Sequence, residues 1–68
     1  MRIETLAGNV GIPVSIGSER KLNDKGTPYY LAVVIVDGSK VVTAIHADKA
    51  WRVREYLNVN DATGSHTK

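Results

Sequence analysis

The sequence predicts an α+β domain, a small curled antiparallel sheet of three to four strands followed by one C-terminal helix. Three features lead to this. Residues 29–36 (YYLAVVIV) form a run rich in β-branched and aromatic side chains, the composition of a strand. Asp37-Gly38 follows at once, a strong short hairpin signal, and residues 41–45 return as a second strand. Beyond them, Ala50, Val53, Tyr56 and Leu57 recur at helical spacing.

The remaining elements follow from local pattern. Residues 1–6 suit a short strand with Met1, Ile3 and Thr5 on one face. Ala7-Gly8-Asn9-Val10-Gly11 reads as a turn, because glycine and asparagine tolerate positive φ. Ile12, Val14 and Ile16 then alternate with Pro13, Ser15 and Gly17. Pro13 has no N–H for a ladder, so this strand starts there or lies at an edge. Residues 18–28 form a polar segment with five charges, in which Asn23-Asp24-Lys25-Gly26 is a turn and Pro28 opens the next strand. Asp48 is the expected N-cap of a helix over residues 49–57. Residues 1–59 are expected to form one domain, and residues 60–68 a flexible polar tail.

Strand 29–36 is apolar on both sides. Tyr29, Leu31, Val33 and Ile35 point one way; Tyr30, Ala32, Val34 and Val36 point the other. One helix covers one face. Barrel curvature, a folded-over N-terminal strand or a second subunit must cover the other, and a homodimer is expected. Length leads to the same expectation. A chain of 68 residues buries a modest fraction of its surface. It has no cysteine for disulfides or thiolate metal sites and only two histidines, His46 and His66, so association remains as the supplement to its core. No cofactor and no metal are expected.

Nine Lys/Arg against seven Asp/Glu give a net charge of +2, too small an excess for a protein that coats duplex. The longest apolar run is too short to span a bilayer, and the N-terminus has no signal-like apolar core. A cytoplasmic protein without membrane contact is expected.

Catalysis is not expected. His46, Asp48, Ser39 and Thr43 make a nucleophile–base set on paper, but a histidine between a strand and a helix ordinarily caps or packs. No nucleophile elbow, P-loop or zinc motif is present, and the glycines at 8, 11 and 17 lack the strand-before, helix-after context of a phosphate loop. Binding is better represented. Arg20, Lys21 and Lys25 precede Tyr29 and Tyr30, and cations beside aromatic rings suit single-stranded nucleic acid, where charge tracks phosphates and rings stack on bases. The same residues also suit a solvated loop, offset by Glu19 and Asp24, with the tyrosines in the core. Trp51 lies to the side of the helical stripe. It either packs on the sheet or anchors a subunit or partner interface together with Arg54 and Tyr56, and Arg52 and Arg54 flank it for cation–π contact.

The order of pieces over residues 18–57 resembles the first half of a nucleic-acid-binding OB-fold. Asp24-Lys25-Gly26-Thr27-Pro28-Tyr29-Tyr30 leads into LAVVIV, Asp37-Gly38, VVTAI and the helix AWRVREYL. The Lys-Gly-x-Pro-Tyr piece is also similar to the single-stranded-DNA-binding proteins of filamentous phages. The resemblance implies an OB-like or partial barrel. An OB-fold uses five strands, and the eleven residues after Leu57 are mostly polar, so residues 1–16 or a second copy must supply the rest. Three strands and a helix at this length are similar, too, to the arm-type DNA-binding domains of tyrosine recombinases, whose sheet faces are polar and basic where this one is apolar.

The function expected is nonenzymatic binding of DNA or RNA, single-stranded, by a small protein of phage or plasmid type. Arg20, Lys21 and Lys25 would contact phosphates, and Tyr29 and Tyr30 would stack. The alternative is a protein-interaction module, a small inhibitor or adaptor, using an apolar patch around Trp51 and Tyr56.

Overall fold

The computed structural model describes residues 1–65, with side chains as far as Asn58. In chain order the elements are β1 (Ile3–Glu4), β2 (Val10–Ile16), β3 (Lys21–Leu22), β4 (Pro28–Val36), β5 (Ser39–His46) and α1 (Ala47–Ser65). The α+β class is as expected, but the sheet has five strands rather than three or four. The additional one is β3, two residues inside the polar segment, where Lys21 pairs with Tyr29 and Leu22 with Pro28. A two-residue strand leaves no periodicity to read.

Strand β4 organises the sheet. β5 pairs with it antiparallel along its length, from Tyr29↔His46 to Val36↔Ser39. A strand has two edges, so β2 and β3 share the other. Asp37 and Gly38 both have positive φ, 51° and 82°, as a type I′ hairpin turn requires. The β3–β4 turn is held by Asn23, whose Oδ1 accepts from the Lys25 and Thr27 N–H groups, each at 2.9 Å. β1 pairs with β2 at Ile3↔Gly11 and Glu4↔Val10. The Leu6 N–H donates to the Ala44 carbonyl of β5 at 2.9 Å, one bond between the two ends of a sheet that is not closed.

Pro13 sits within β2, paired with Val34 next to a bulge between Pro13 and Ser15. Its missing N–H is tolerated because β1 reaches only Val10 and Gly11, leaving the outer edge of β2 unpaired at the proline. Gly11 has a different task. A Cβ there would lie 2.6 Å from Val34 Cγ1 and against the Ile35 carbonyl oxygen, so only glycine lets β2 come this close to β4.

The core lies between one sheet face and α1. Ile3, Ala32, Val34, Ile45 and Val53 form the buried cluster, with Ile16, Val36 and Leu57 against it. The helix begins at Ala47, directly after β5, so the cap is His46 and not Asp48. The His46 Nδ1 accepts from the Asp48 N–H at 3.1 Å, satisfying one of the free donors of the first turn. A strand that runs straight into a helix leaves no separate residue for the cap. The helix also continues to Ser65, past the end expected at residue 57. Once a packed nucleus exists, each further residue adds a hydrogen bond at low cost, even through weak helix formers. The tail expectation for residues 66–68 falls outside the described residues. Among the described residues no helix is long and apolar enough to cross a membrane.

Two substitutions test this packing. Gly11→Ala should destabilise the fold by about 2 kcal/mol, because the new methyl group forces β2 away from β4. Ile45→Ala, at a fully buried site, should cost about 3 kcal/mol. Urea unfolding followed by circular dichroism reads both, and a wild-type midpoint for either would contradict the assigned core.

Candidate nucleic-acid interface

Alternation along β4 divides the candidate residues between two faces. Tyr30 belongs to the helix side with Ala32 and Val34. Tyr29 belongs to the opposite, open side with Leu31, Val33 and Ile35. The two tyrosines therefore do not form a joint stacking platform. Tyr30 is engaged from within: the Arg54 guanidinium lies over its ring, 4.4 Å from the centroid, and also donates to the Gly17 carbonyl at 2.6 Å. Arg54 is thus a clamp between α1 and the end of β2. It does not flank Trp51 at an outer surface, because its position on the helix overlooks the sheet edge.

On the open side a row crosses three strands. Lys21 of β3 is directly opposite Tyr29 of β4, and His46 of β5 is opposite Tyr29 on its other side. Directly opposed side chains have Cβ atoms about 5 Å apart, so this row puts a cation and an imidazole on either side of one ring. Lys21 Nζ, half-buried, also lies 3.4 Å from a carboxylate oxygen of the exposed Glu19, a surface pair with little hold on it. Lys25 sits in the turn that Asn23 fixes, and Arg20 directly precedes β3; both are exposed. The three cations expected to contact phosphate thus lie on or beside one hairpin, Lys21 opposite Tyr29 and Lys25 lining the same concavity as its ring.

Beyond this row the open face is largely apolar, with Ser15 opposite Val33 and Lys40 opposite Ile35. Ile12, Leu31 and Val42 are exposed, Val42 to 73 %, with Val33 and Ile35 between them. Val10 extends the patch at the β1 end. Alternation in β4 predicted that both faces would be apolar; it could not say which one the helix takes.

The remaining candidates separate. Ser39 and His46 occupy opposite ends of β5, roughly 24 Å apart at the rise of a strand. Ser39 and Thr43 also pair with residues of the helix side, whereas His46 pairs with Tyr29 of the open side. The nucleophile–base set is not assembled. Trp51 does not pack on the sheet. It is 57 % exposed on the outer side of α1, beside Met1, Arg52, Glu55 and the half-buried Tyr56, with the Arg52 guanidinium 5.6 Å from its ring centroid. Met1 is the member of this patch that sequence reasoning missed. Glu55 is one turn from Trp51 and legible from helical spacing; Met1 arrives through the pairing of β1 with β2.

The chain matches no known family model, no curated protein and no solved structure.

Proposed function

We propose that this protein binds single-stranded nucleic acid and catalyses no reaction. One observation carries the reading: Tyr29 stands on the open sheet face with Lys21 directly across the ladder from it. Lys25 and Arg20 add two cations on the same hairpin. A strand laid over this corner would meet positive charge for its phosphates and one ring for a base, with apolar side chains beyond for the faces of neighbouring bases. A net charge of +2 and an apolar sheet favour a short single-stranded site over a duplex-coating surface. The OB-like resemblance supports the same use of the sheet as a platform. Tyr30 has no part in the contact, because Arg54 occupies its ring.

A protein-interaction module is the second reading, and the exposure of Trp51 favours it. Salt separates the two, since phosphate contacts weaken steeply with ionic strength and apolar contacts do not.

Fluorescence anisotropy with labelled single-stranded and duplex DNA over a salt series is the test. Wild type should prefer the single strand. The Lys21→Ala/Lys25→Ala double variant should reduce the slope of log K against log salt by about 1.4, two phosphate contacts at about 0.7 each. An unchanged slope would remove these lysines from the interface. Tyr29→Ala should weaken binding by about 1–3 kcal/mol while Tyr29→Phe retains it, because the ring and not the hydroxyl stacks. Equal losses in both variants would exclude stacking.

A further inference from the structure

The row across the open face has three members, and the nucleic-acid reading uses two of them. His46 ends β5 directly opposite Tyr29, as Lys21 does from β3. The backbone fixes how closely the imidazole stands to the ring. The Leu31 carbonyl accepts from the Gly17 N–H and the Ala44 carbonyl from the Leu6 N–H, so both face away from the β4–β5 ladder. Leu31↔Ala44 is therefore a pair without ladder bonds of its own, and so, two residues along, is Tyr29↔His46. Side chains in such pairs approach more closely than those in bonded pairs.

His46 is also the member of the row whose residue type changes charge near neutrality. Histidine titrates between about pH 5 and 8, where lysine and tyrosine do not. The His46 Nδ1 accepts from the Asp48 N–H at 3.1 Å, which takes an unprotonated nitrogen and puts the ring proton on Nε2. When the ring gains a second proton, Nδ1 gives up this bond and becomes a donor. The carboxylate of the exposed Asp48 stands within reach of it, with Oδ2 3.7 Å away. The other charged groups around His46 are Lys21, beyond Tyr29, and Lys49, whose Nζ is turned to the Glu4 carbonyl at 3.5 Å. Acid thus replaces a neutral ring and a lone carboxylate with an ion pair, and Nε2–H becomes a charge-assisted donor. A nucleotide stacked on Tyr29 has a phosphate on each side of it. With His46 neutral, the row offers a cation on one side only.

We propose that His46 makes this corner a proton-dependent binding site. The charged imidazole takes the second phosphate, so single-stranded nucleic acid binds more tightly as the pH falls and takes up a proton on binding. The proposal rests on the nucleic-acid reading of the Lys21–Tyr29 corner.

Anisotropy with labelled oligothymidylate, whose bases do not titrate in this range, tests it between about pH 5.5 and 8. The full chain carries His66→Gln, so that His46 is its sole histidine. Affinity should rise about fivefold toward the acid end, the scale of one exposed charge pair. The slope of log K against log salt should steepen by about 0.7, one phosphate contact. His46→Asn should abolish both changes. Asparagine still offers an acceptor to the Asp48 N–H, so the helix keeps its cap. Because linked binding is reciprocal, the His46 ring signals in NMR should titrate at higher pH with the oligonucleotide bound than without it. Binding equally tight at every pH overturns this proposal and leaves the nucleic-acid reading standing. A rise that survives in His46→Asn, or ring signals that the oligonucleotide leaves unmoved, overturns it too. No binding at any pH overturns both.

Discussion

Strand β4 presents Tyr30, Ala32, Val34 and Val36 to α1, and Tyr29, Leu31, Val33 and Ile35 to the other side. One helix can cover only one of these faces, and the rest of the structure is arranged around that inequality. The covered face is built for close approach. Gly11 lets β2 press against β4, Ile3 reaches into the core from β1, and Arg54 fastens α1 to the end of β2. The uncovered face keeps its valines, leucine and isoleucines at the surface, beside a corner of lysines and one tyrosine. A small chain of this kind leaves apolar and charged groups together where its packing runs out.

The sheet was legible wherever a segment was long enough to show a period. β4, β5 and the Asp37-Gly38 turn read directly from alternation and turn chemistry. β3 did not, because two residues inside a charged segment carry no pattern and their pairing depends on β4 being alongside. The helix was found, but its ends were not. Its start is set by the direct join of β5 to α1, which moves the cap to His46. Its length beyond Leu57 comes from propagation through residues whose own preferences are poor.

The candidate site was legible in composition and less so in geometry. Neighbouring residues on a strand cannot share a face, so Tyr29 and Tyr30 had to diverge, and only the docking of α1 decided which of them stays open. Lys21 and Lys25 stand near each other because one hairpin holds them. Arg54 was assigned outward from its nearness to Trp51 on the helix, yet its long side chain reaches back to Tyr30 and the Gly17 carbonyl. Where a flexible cation ends depends on which carbonyl and ring lie within its reach, and these belong to other elements.

The join between β5 and α1 has a mechanical consequence. β5 ends at His46 and the helix begins at Ala47, with no residue between. The rotational phase of the helix is therefore geared to the register of the β4–β5 ladder. One inserted residue at this point would turn every later helical position by about 100°, carrying Val53 away from Val34 and Ile45 and moving Trp51 off the outer face. At this joint residues can be exchanged, but not added without turning the helix off its core.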